Sequence, residues 1–422
     1  MATAPAQADQ SLPTPTPALI FDDGRGILAP MTDLRPAFDI RTGGLTTLQR
    51  LRHTLNLHIT ALQVAPHLAD LTAETHDVGV NTPSAEPILM LSGRCPLPPR
   101  EVMRLAPGEA LIEPETEDLI AAVGPPDDLA RLIAGDHPNN RTAYRVSTAD
   151  QRLLLSRVWH VRASRDACIE ADLAHMMRGS RQDPPPGVTV MGDHAIHIHP
   201  TAHVCPNVVL DAEAGPIAID AGATIRPGSI IIGPTIIGTD STVLDQSLIK
   251  GSTAIGPVCK VAGEVGGTIF QGHANKAHAG HLGDSWVGAW ANLGAGTTNS
   301  NLLNTYGDIS CVPTPHAPRE RTGERYLGAI IGDHVKTAIN STIMTGSIIH
   351  TGAMLAQTAA ISGCVRPFAW GTDAGRHLYK LGRFMSVCET VMGRRSIEPG
   401  KAYVERVESL HAEAVADYWQ DA

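Results

Sequence analysis

Between Ile219 and Val261 an aliphatic side chain recurs at every sixth position: Ile219, Ile225, Ile231, Ile237, Val243, Ile249, Ile255 and Val261. Helical faces repeat about every 3.6 residues and flat strands alternate every two, so neither accommodates a strict period of six. A triangular solenoid does. Each six-residue unit supplies one short strand and one corner, about three units close a coil of roughly 18 residues, and the periodic side chain points into a narrow prism. The spacing starts earlier, at Ile198, Val204 and Leu210, and returns at Ile331, Ile343, Ile349, Leu355 and Ile361, with Thr337 filling one slot. Glycine often follows the periodic residue, as at Gly238, Gly256, Gly288, Gly294 and Gly332, which suits tight corners. Burying each such Ile by stacking contributes roughly 1.5–3 kcal/mol. The pattern predicts a left-handed parallel β-helix of hexapeptide repeats over residues 188–370.

The register breaks once in the middle. Val261 and Val287 lie 26 positions apart, which is not a multiple of six. A loop or bulged coil is therefore expected at about 263–286, and loops on a rigid solenoid are where binding chemistry concentrates. The same stretch holds the densest group of reactive polar residues in the chain, His273, Lys276, His278 and His281 among them. After Ile361, Val365–Trp370 is expected to leave the solenoid. Gly400–Trp419 reads as an amphipathic helix able to cap its open end, within a helical tail over 371–422.

The amino-terminal half has another rhythm. Residues 1–17 form a Pro/Ala-rich lead, expected to be disordered. From Ala18 an α/β pattern begins: an apolar run Ala18–Phe21 ending in Asp22-Asp23-Gly24, a helical stripe of Leu45, Leu48, Leu51 and Leu55, a strand-like Ile59–Val64, and a further run Ile88–Leu91. Alternating strands and helices predict a parallel sheet over 18–140. A helix is expected over 148–178, opened by Ser147 or Thr148 and carrying Leu153, Leu154, Val158 and Val161 on one stripe. It falls in a helical linker, 141–187, which the Pro- and Gly-rich run RGSRQDPPPG closes at Gly187.

Composition excludes several classes of function. Aromatics are only 4%, against 40 Gly and 31 Pro, which favours a thin architecture filled by aliphatics. With 43 Asp+Glu against 33 Lys+Arg and no basic run, nonspecific nucleic-acid binding is not expected. Seven scattered cysteines without a C-x-x-C pair suit a reducing cytoplasm. The start lacks the basic and apolar regions of a signal peptide. The most apolar stretch, Ser229–Ile237, is short and interrupted by Gly233 and Pro234, so no membrane segment is expected and the protein reads as soluble and cytoplasmic.

The segment GEVGGTIFQGHANKAHAGHLGD, from Gly263 to Asp284, followed by NLGAGTTNSN from Asn292 to Asn301, resembles the acetyltransferase domain of the bifunctional N-acetylglucosamine-1-phosphate uridyltransferase/glucosamine-1-phosphate acetyltransferase family. That family carries K-A-G-H-(x)3-L-G-D, then N-(x)-G-A-G-T and a further Asn. Aligning Leu282-Gly283-Asp284 places His278 on the family's catalytic histidine, Asn292 on its first asparagine and Asn301 on its second. A closer resemblance covers nearly the whole chain. The segments LRPAFDIRTG from Leu34, NKAHAGHLGDSWVGAWANLGAGTTNSN from Asn275 and IGDHVKTAIN from Ile331 are similar to a divergent branch of that family, sugar nucleotidyltransferases carrying a hexapeptide-repeat acyltransferase domain.

The resemblance implies transfer of an acetyl group from acetyl-CoA to an amino sugar phosphate of the glucosamine 1-phosphate type, with nucleotidyl transfer giving a UDP- or dTDP-sugar. His278 would be the general base, suited by a titration near neutrality, and Asn292 would help stabilise the tetrahedral intermediate. Lys276, Arg226, Asn301 and His281 would contact substrate. Two departures stand out: the family lysine twelve residues before the catalytic histidine falls on Gly266, and its active-site tyrosine falls on His281, which bears on the acceptor sugar. In the amino-terminal half, LIFDDGRGILAPMT from Leu19 is similar to the phosphate-binding loop of sugar nucleotidyltransferases. It lacks the ordinary lysine. Asp22, Asp23, Gly24, Arg25, Arg35 and Arg41 would bind nucleotide there, with Asp22 and Asp23 able to hold Mg²⁺. A degenerate domain that only binds or scaffolds is the competing expectation. The implied partners are a sugar phosphate, an acyl-CoA, a nucleotide and two further copies of the chain in a homotrimer. The alternatives are a metal-dependent lyase of the gamma-carbonic-anhydrase kind, using His273, His278 and His281, and a non-catalytic sugar-nucleotide scaffold.

Overall fold

A computed structural model describes residues 15–82, 86–135, 144–179 and 181–419. The amino-terminal half is built on a seven-stranded sheet: β1 (Thr16–Phe21), β2 (Leu57–Gln63), β3 (Gly79–Val80), β4 (Ile88–Ser92), β5 (Glu109–Ile112), β6 (Leu119–Gly124) and β7 (Arg145–Thr148), in the order β3-β2-β1-β4-β6-β5-β7. The first four strands are parallel, whereas β6 runs antiparallel to both β4 and β5. β4 and the end of β1 are buried along their whole length, as continuous apolar runs covered on both faces should be. The lead expected over 1–17 lies outside the described residues up to position 14, and Thr16 already belongs to β1. Of the expected stripe, Leu48 and Leu51 are buried on a helix, Thr47–Thr54, opened by a capping box between Thr46 and Gln49; Leu55 is its buried C-cap, and Leu45 precedes it and is half-buried.

The helix expected over 148–178 starts later. Arg145–Thr148 is an edge strand, and the helix runs His160–Met176. The cause is local. The Glu113 carboxylate accepts the amides of Leu153 (2.6 Å) and Leu154 (2.9 Å), holding that segment extended where a helix would have bonded it to itself.

From Thr189 the chain winds into the expected left-handed β-helix, with parallel pairing throughout its coils. One face carries His203–Val204, Thr224–Ile225, Thr242–Val243, Lys260–Val261 and Asn275–Lys276; a second runs from Thr189–Met191 to His281–Gly283; the third is a nine-stranded ladder from Ile196–Ile198 to Cys364–Val365. The periodic Ile and Val side chains form one continuous core inside the prism. Val365–Trp370 does not leave the solenoid: Val365 pairs with Ile349, and Ala369–Thr372 adds a strand beside Met354–Ala356.

Of the loop or bulged coil expected at about 263–286, the loop is corrected. Glu264–Gly266, Ile269–Phe270, Asn275–Lys276 and His281–Gly283 are all strands in register, so the break is taken up by shortened coils. The excursion lies further on. Between Thr298–Asn299 and Ala329–Ile331 the chain leaves the prism, makes a short hairpin (Ser310–Cys311 with Glu320–Arg321) and returns.

The third face is covered. Outward residues Ala218, Ile236, Ala254, Ile269, Trp286 and Ile330 pack against Met31, Ile40, Trp159, Ile169 and Leu173 of the amino-terminal half. Arg41 donates from Nε to the Gln271 carbonyl (3.1 Å), and the Trp286 indole N–H donates to the Arg41 carbonyl (3.1 Å). The helix Lys401–Trp419 matches the expected terminal helix. It packs with Leu381–Gly393 over the end of the solenoid through Phe368, Phe384, Val407 and Leu410, and its first turn donates to the amino-terminal half, from the Ala402 N–H to the Glu74 carboxylate (2.8 Å).

Candidate active site

The shortened coils put two polar side chains where the ladder calls for aliphatics. Lys276 pairs with Val261 and points into the prism, almost completely buried. Its ammonium donates to the carbonyls of Ala262 (3.1 Å) and His278 (2.8 Å), and burial pulls its pKa down to about 8. Asn299, one coil below Leu282, is likewise buried. Its Oδ1 accepts the Gly283 amide (2.8 Å), and its Nδ2 donates to the Gly283 carbonyl (2.9 Å) and Ser285 Oγ (3.1 Å). The segment His278–Gly283 is thus pinned from inside at both ends. Lys276 was expected to touch substrate; it is instead a core residue that fixes backbone.

On the outside of the second face, His281 Nδ1 lies 3.4 Å from Glu264 Oε1, and the same oxygen receives the Lys250 ammonium at 2.5 Å. Lys250 holds the Glu264 carboxyl below its usual range, with His281 adding to the effect against a small burial cost. Beside them Gly266 and Gly283 pair across neighbouring strands, leaving a ledge without side chains. A Cβ on Gly283 would stand 2.7 Å from both His281 Nε2 and Asn301 Nδ2, so both side chains reach over that ledge. Asn301 donates to Asp284 Oδ2 (2.8 Å), and Arg165 of the helix His160–Met176 donates to Asp284 Oδ1 (2.8 Å).

The structure therefore gathers His281 and Asn301 with Lys250, Glu264 and Asp284, which sequence reasoning passed over. His278 sits exposed at the corner leading into this ledge. Asn292 is exposed on the adjoining face, bridging Asn275 and Lys336 through its backbone. Arg226 is corrected: it ends the strand three coils above Asn275–Lys276, roughly 14 Å away at the strand spacing of a sheet, and pairs with Asp245 (3.3 Å). His273 occupies a different prism edge, its ring stacked on Trp290 at 4.4 Å, with burial lowering its pKa. Among the described residues no three His, Cys, Asp or Glu side chains converge as a metal site would require, and His273, His278 and His281 do not. All seven cysteines are free.

The amino-terminal candidates are spent on structure. Asp23 is gripped by Arg94 through both oxygens (2.7 and 2.6 Å); Arg94 also holds Asp118 (2.7 Å), which takes Arg25 at 2.6 Å. Asp22 accepts the amides of Gly24 (3.0 Å) and Ala37 (2.7 Å), and burial raises its pKa. Arg35 pairs with Asp333 of the solenoid at 2.5 Å, and Arg41 is bonded to carbonyls of Gln271 and Gly44. A cleft of about 490 Å³ does open at the carboxyl ends of β1 and β2. Asp22, Asp23, Gln63, Ala65 and Asp127 line it, with no Lys or Arg. Asp23 is neutralised by Arg94 and both oxygens of Asp22 are engaged by amides, an arrangement that does not fit a Mg²⁺ ion, which needs these oxygens as ligands.

Residues 18–181 match the sugar nucleotidyl transferase family. The bifunctional protein GlmU of Acaryochloris marina is 31% identical over 183 residues, 39% of this chain and 39% of that protein. Over this stretch the chain is similar to the GlmU proteins. The bifunctional sugar-1-phosphate nucleotidylyltransferase/acetyltransferase of Sulfurisphaera tokodaii is 32% identical over 99 residues, 24% of each chain. The matched part thus spans about two-fifths or less of these relatives' lengths. Among solved structures, a hexapeptide transferase family protein from Anaplasma phagocytophilum covers 53% of this chain and 99% of its own, at 13% identity and a TM-score of 0.23.

Proposed function

We propose that this GlmU-like chain is an acyltransferase that moves an acetyl group from acetyl-CoA to the amine of a sugar phosphate of the glucosamine 1-phosphate type. The observation that carries the reading is the ledge of Gly266 and Gly283, overhung by His281 Nε2 and Asn301 Nδ2 and approached by His278 at the corner. An amino sugar is largely protonated near neutral pH, and an imidazole is the side chain suited to take its proton. Once the amine attacks the thioester, the carbonyl oxygen gathers negative charge, which a fixed amide N–H such as that of Asn301 or Asn292 offsets. The names of the curated relatives support the sugar phosphate and the acetyl group as substrate classes. In this reading the acyl-CoA groove lies between copies of a homotrimer, and free thiols suit a cytoplasmic setting. No helix among the described residues is long and apolar enough to cross a membrane.

For the amino-terminal domain the reading is a scaffold of nucleotidyltransferase descent. Arg25, Arg35 and Arg94 are paired within the protein, and the cleft is acidic with no Lys or Arg in its lining, so a nucleoside triphosphate finds no counter-charge in that cleft. Incubating the full chain with acetyl-CoA, glucosamine 1-phosphate, UTP and Mg²⁺ and resolving products by mass spectrometry tests both halves. The expected result is the N-acetylated sugar phosphate with no pyrophosphate; pyrophosphate release above a no-enzyme control contradicts the scaffold reading.

A further inference from the structure

We propose that a cleft between the two halves of the chain, separate from the glycine ledge, is a second ligand site that takes the phosphate monoester of a small sugar. The cleft measures about 260 Å³, and three segments wall it: the turn 113–116 after β5, the linker 152–160, and 320–322 of the hairpin thrown out by the solenoid. Pockets for drug-sized ligands run from roughly 300 to 1,000 Å³, so this one suits a monosaccharide better than CoA. Nothing in it depends on acyl transfer at the ledge.

Its charges decide the ligand. Arg152, Arg157 and Arg321 line it together with Glu113, Glu115 and Glu320, but half of these groups are already committed. Glu113 is spent on the amides of Leu153 and Leu154. Glu320 accepts from Arg157 Nε (2.7 Å) and Nη2 (3.4 Å). What remains is Arg152 and Arg321 against Glu115, all three exposed. Among the described residues no carboxylate stands within ion-pair distance of Arg152 or Arg321, whereas the neighbouring Arg157 and Arg162 both have one. Two uncommitted guanidiniums therefore face one cleft, with a single uncommitted carboxylate to oppose them.

Arg152 rests on a poor partner. Its Nη1 lies 3.1 Å from His160 Nε2, while His160 Nδ1 stands 3.1 Å from the Ser156 amide. Burial, with Arg152 and Arg157 nearby, pushes the His160 pKa down to about 3. A neutral imidazole has one lone pair in the ring plane, so two donors compete for it. A phosphate offers Arg152 a better acceptor, since its oxygens take guanidinium N–H groups in pairs. It would draw Arg152 off the imidazole and join it to Arg321 across the cleft. The hydroxyls of Thr116 and Ser156 and the edge of Trp159 line the same space, polar and flat apolar surface of the kind a pyranose ring meets. Arg152 belongs to the linker and Arg321 to the hairpin, so a ligand held by both ties the halves together and raises Tm by mass action.

Calorimetric titration of the full chain with glucose 1-phosphate, inorganic phosphate, malonate and glucose, beside ¹⁵N spectra of the histidine rings, tests the site. Glucose 1-phosphate is expected to bind, to raise Tm and to shift the His160 ring signals; glucose is expected to do none of these. Arg152→Gln and Arg321→Gln should each weaken binding about tenfold or more, with ligand-free Tm and any acetyl transfer close to wild type. Absence of binding, binding unchanged in both variants, or binding that leaves His160 unmoved overturns the site. Equal affinity for inorganic phosphate keeps the anion site and removes the sugar, whereas a preference for malonate contradicts the phosphate. If wild-type protein transfers no acetyl group yet binds glucose 1-phosphate in this way, the acyl-transfer reading falls alone.

Discussion

Gly283 carries more of the site than its size suggests. Its outward position is empty, yet a methyl group there would lie 2.7 Å from the ends of His281 and Asn301. Both are flexible side-chain tips, so Gly283→Ala is expected to fold with a Tm within a few degrees of wild type while kcat falls at least tenfold, because the imidazole must swing away from the ledge. Thermal melting beside a thiol-release assay checks the pair; unchanged kcat would remove Gly283 and its overhanging groups from the site. Residue identity at this scale was partly legible. His278, His281, Asn292 and Asn301 could be picked out by resemblance. Glu264 and Lys250 could not, since they approach His281 only once the coils are shortened by the right amount. Likewise Lys276 reads as a substrate contact until Val261 is seen to pair with it.

At the level of the single element, the polar rungs exchange stability for position. Burial lowers the Lys276 pKa to about 8 from its ordinary value of 10.5, so the charged form is disfavoured in the folded state. A depressed lysine costs stability below its folded pKa, and the cost fades as pH rises toward the unfolded value. Lys276→Met is therefore expected to match or exceed wild-type Tm at pH 7, with its relative advantage shrinking from pH 8 to 10, while acyl transfer falls because the His278 carbonyl loses its anchor. Melting curves across that range check the sign; an advantage that grows with pH would contradict a strained ammonium. The ladder itself was plain from a period of six, since no other element repeats that way. Sequence alone leaves a loop and an irregular coil open at 263–286, because a broken period looks the same whether the chain leaves the prism or merely cuts a corner. The real excursion, between Asn299 and Ala329, left a gap in the ladder and a charged run, Arg319 to Arg325, that reads equally well as a solvated face.

For the molecule as a whole, the amino-terminal half acts as the wall of the solenoid. The sign of that wall stands in the sequence as apolar doublets, Ile236-Ile237, Ile330-Ile331 and Ile348-Ile349, in which the second member points into the prism and the first outward under the covering domain. A search confined to the sixth-position ladder passes over the outward partner. Arg35 and Asp333 join the two halves across this boundary, and burial raises the Asp333 pKa against Arg35's pull. Arg35→Ala strands that carboxylate and is expected to cost on the order of 3 kcal/mol, read as a lowered Tm, with Asp333→Asn in the same protein restoring most of it. A Tm unaffected by Arg35→Ala would show that the pair does not hold the halves together. Phosphate-loop resemblance made Arg35 and Arg41 look like nucleotide ligands; sequence similarity preserves the loop's place in the chain and says nothing about which partner its charges find.

The account turns on acyl transfer at the glycine ledge of the second face. Mass spectrometry of glucosamine 1-phosphate incubated with acetyl-CoA and the full-length protein addresses it most directly. A product heavier by one acetyl group, formed in step with free CoA thiol and lost in His278→Ala, is the predicted result. An unmodified sugar phosphate and intact acetyl-CoA in the presence of folded wild-type protein would contradict it.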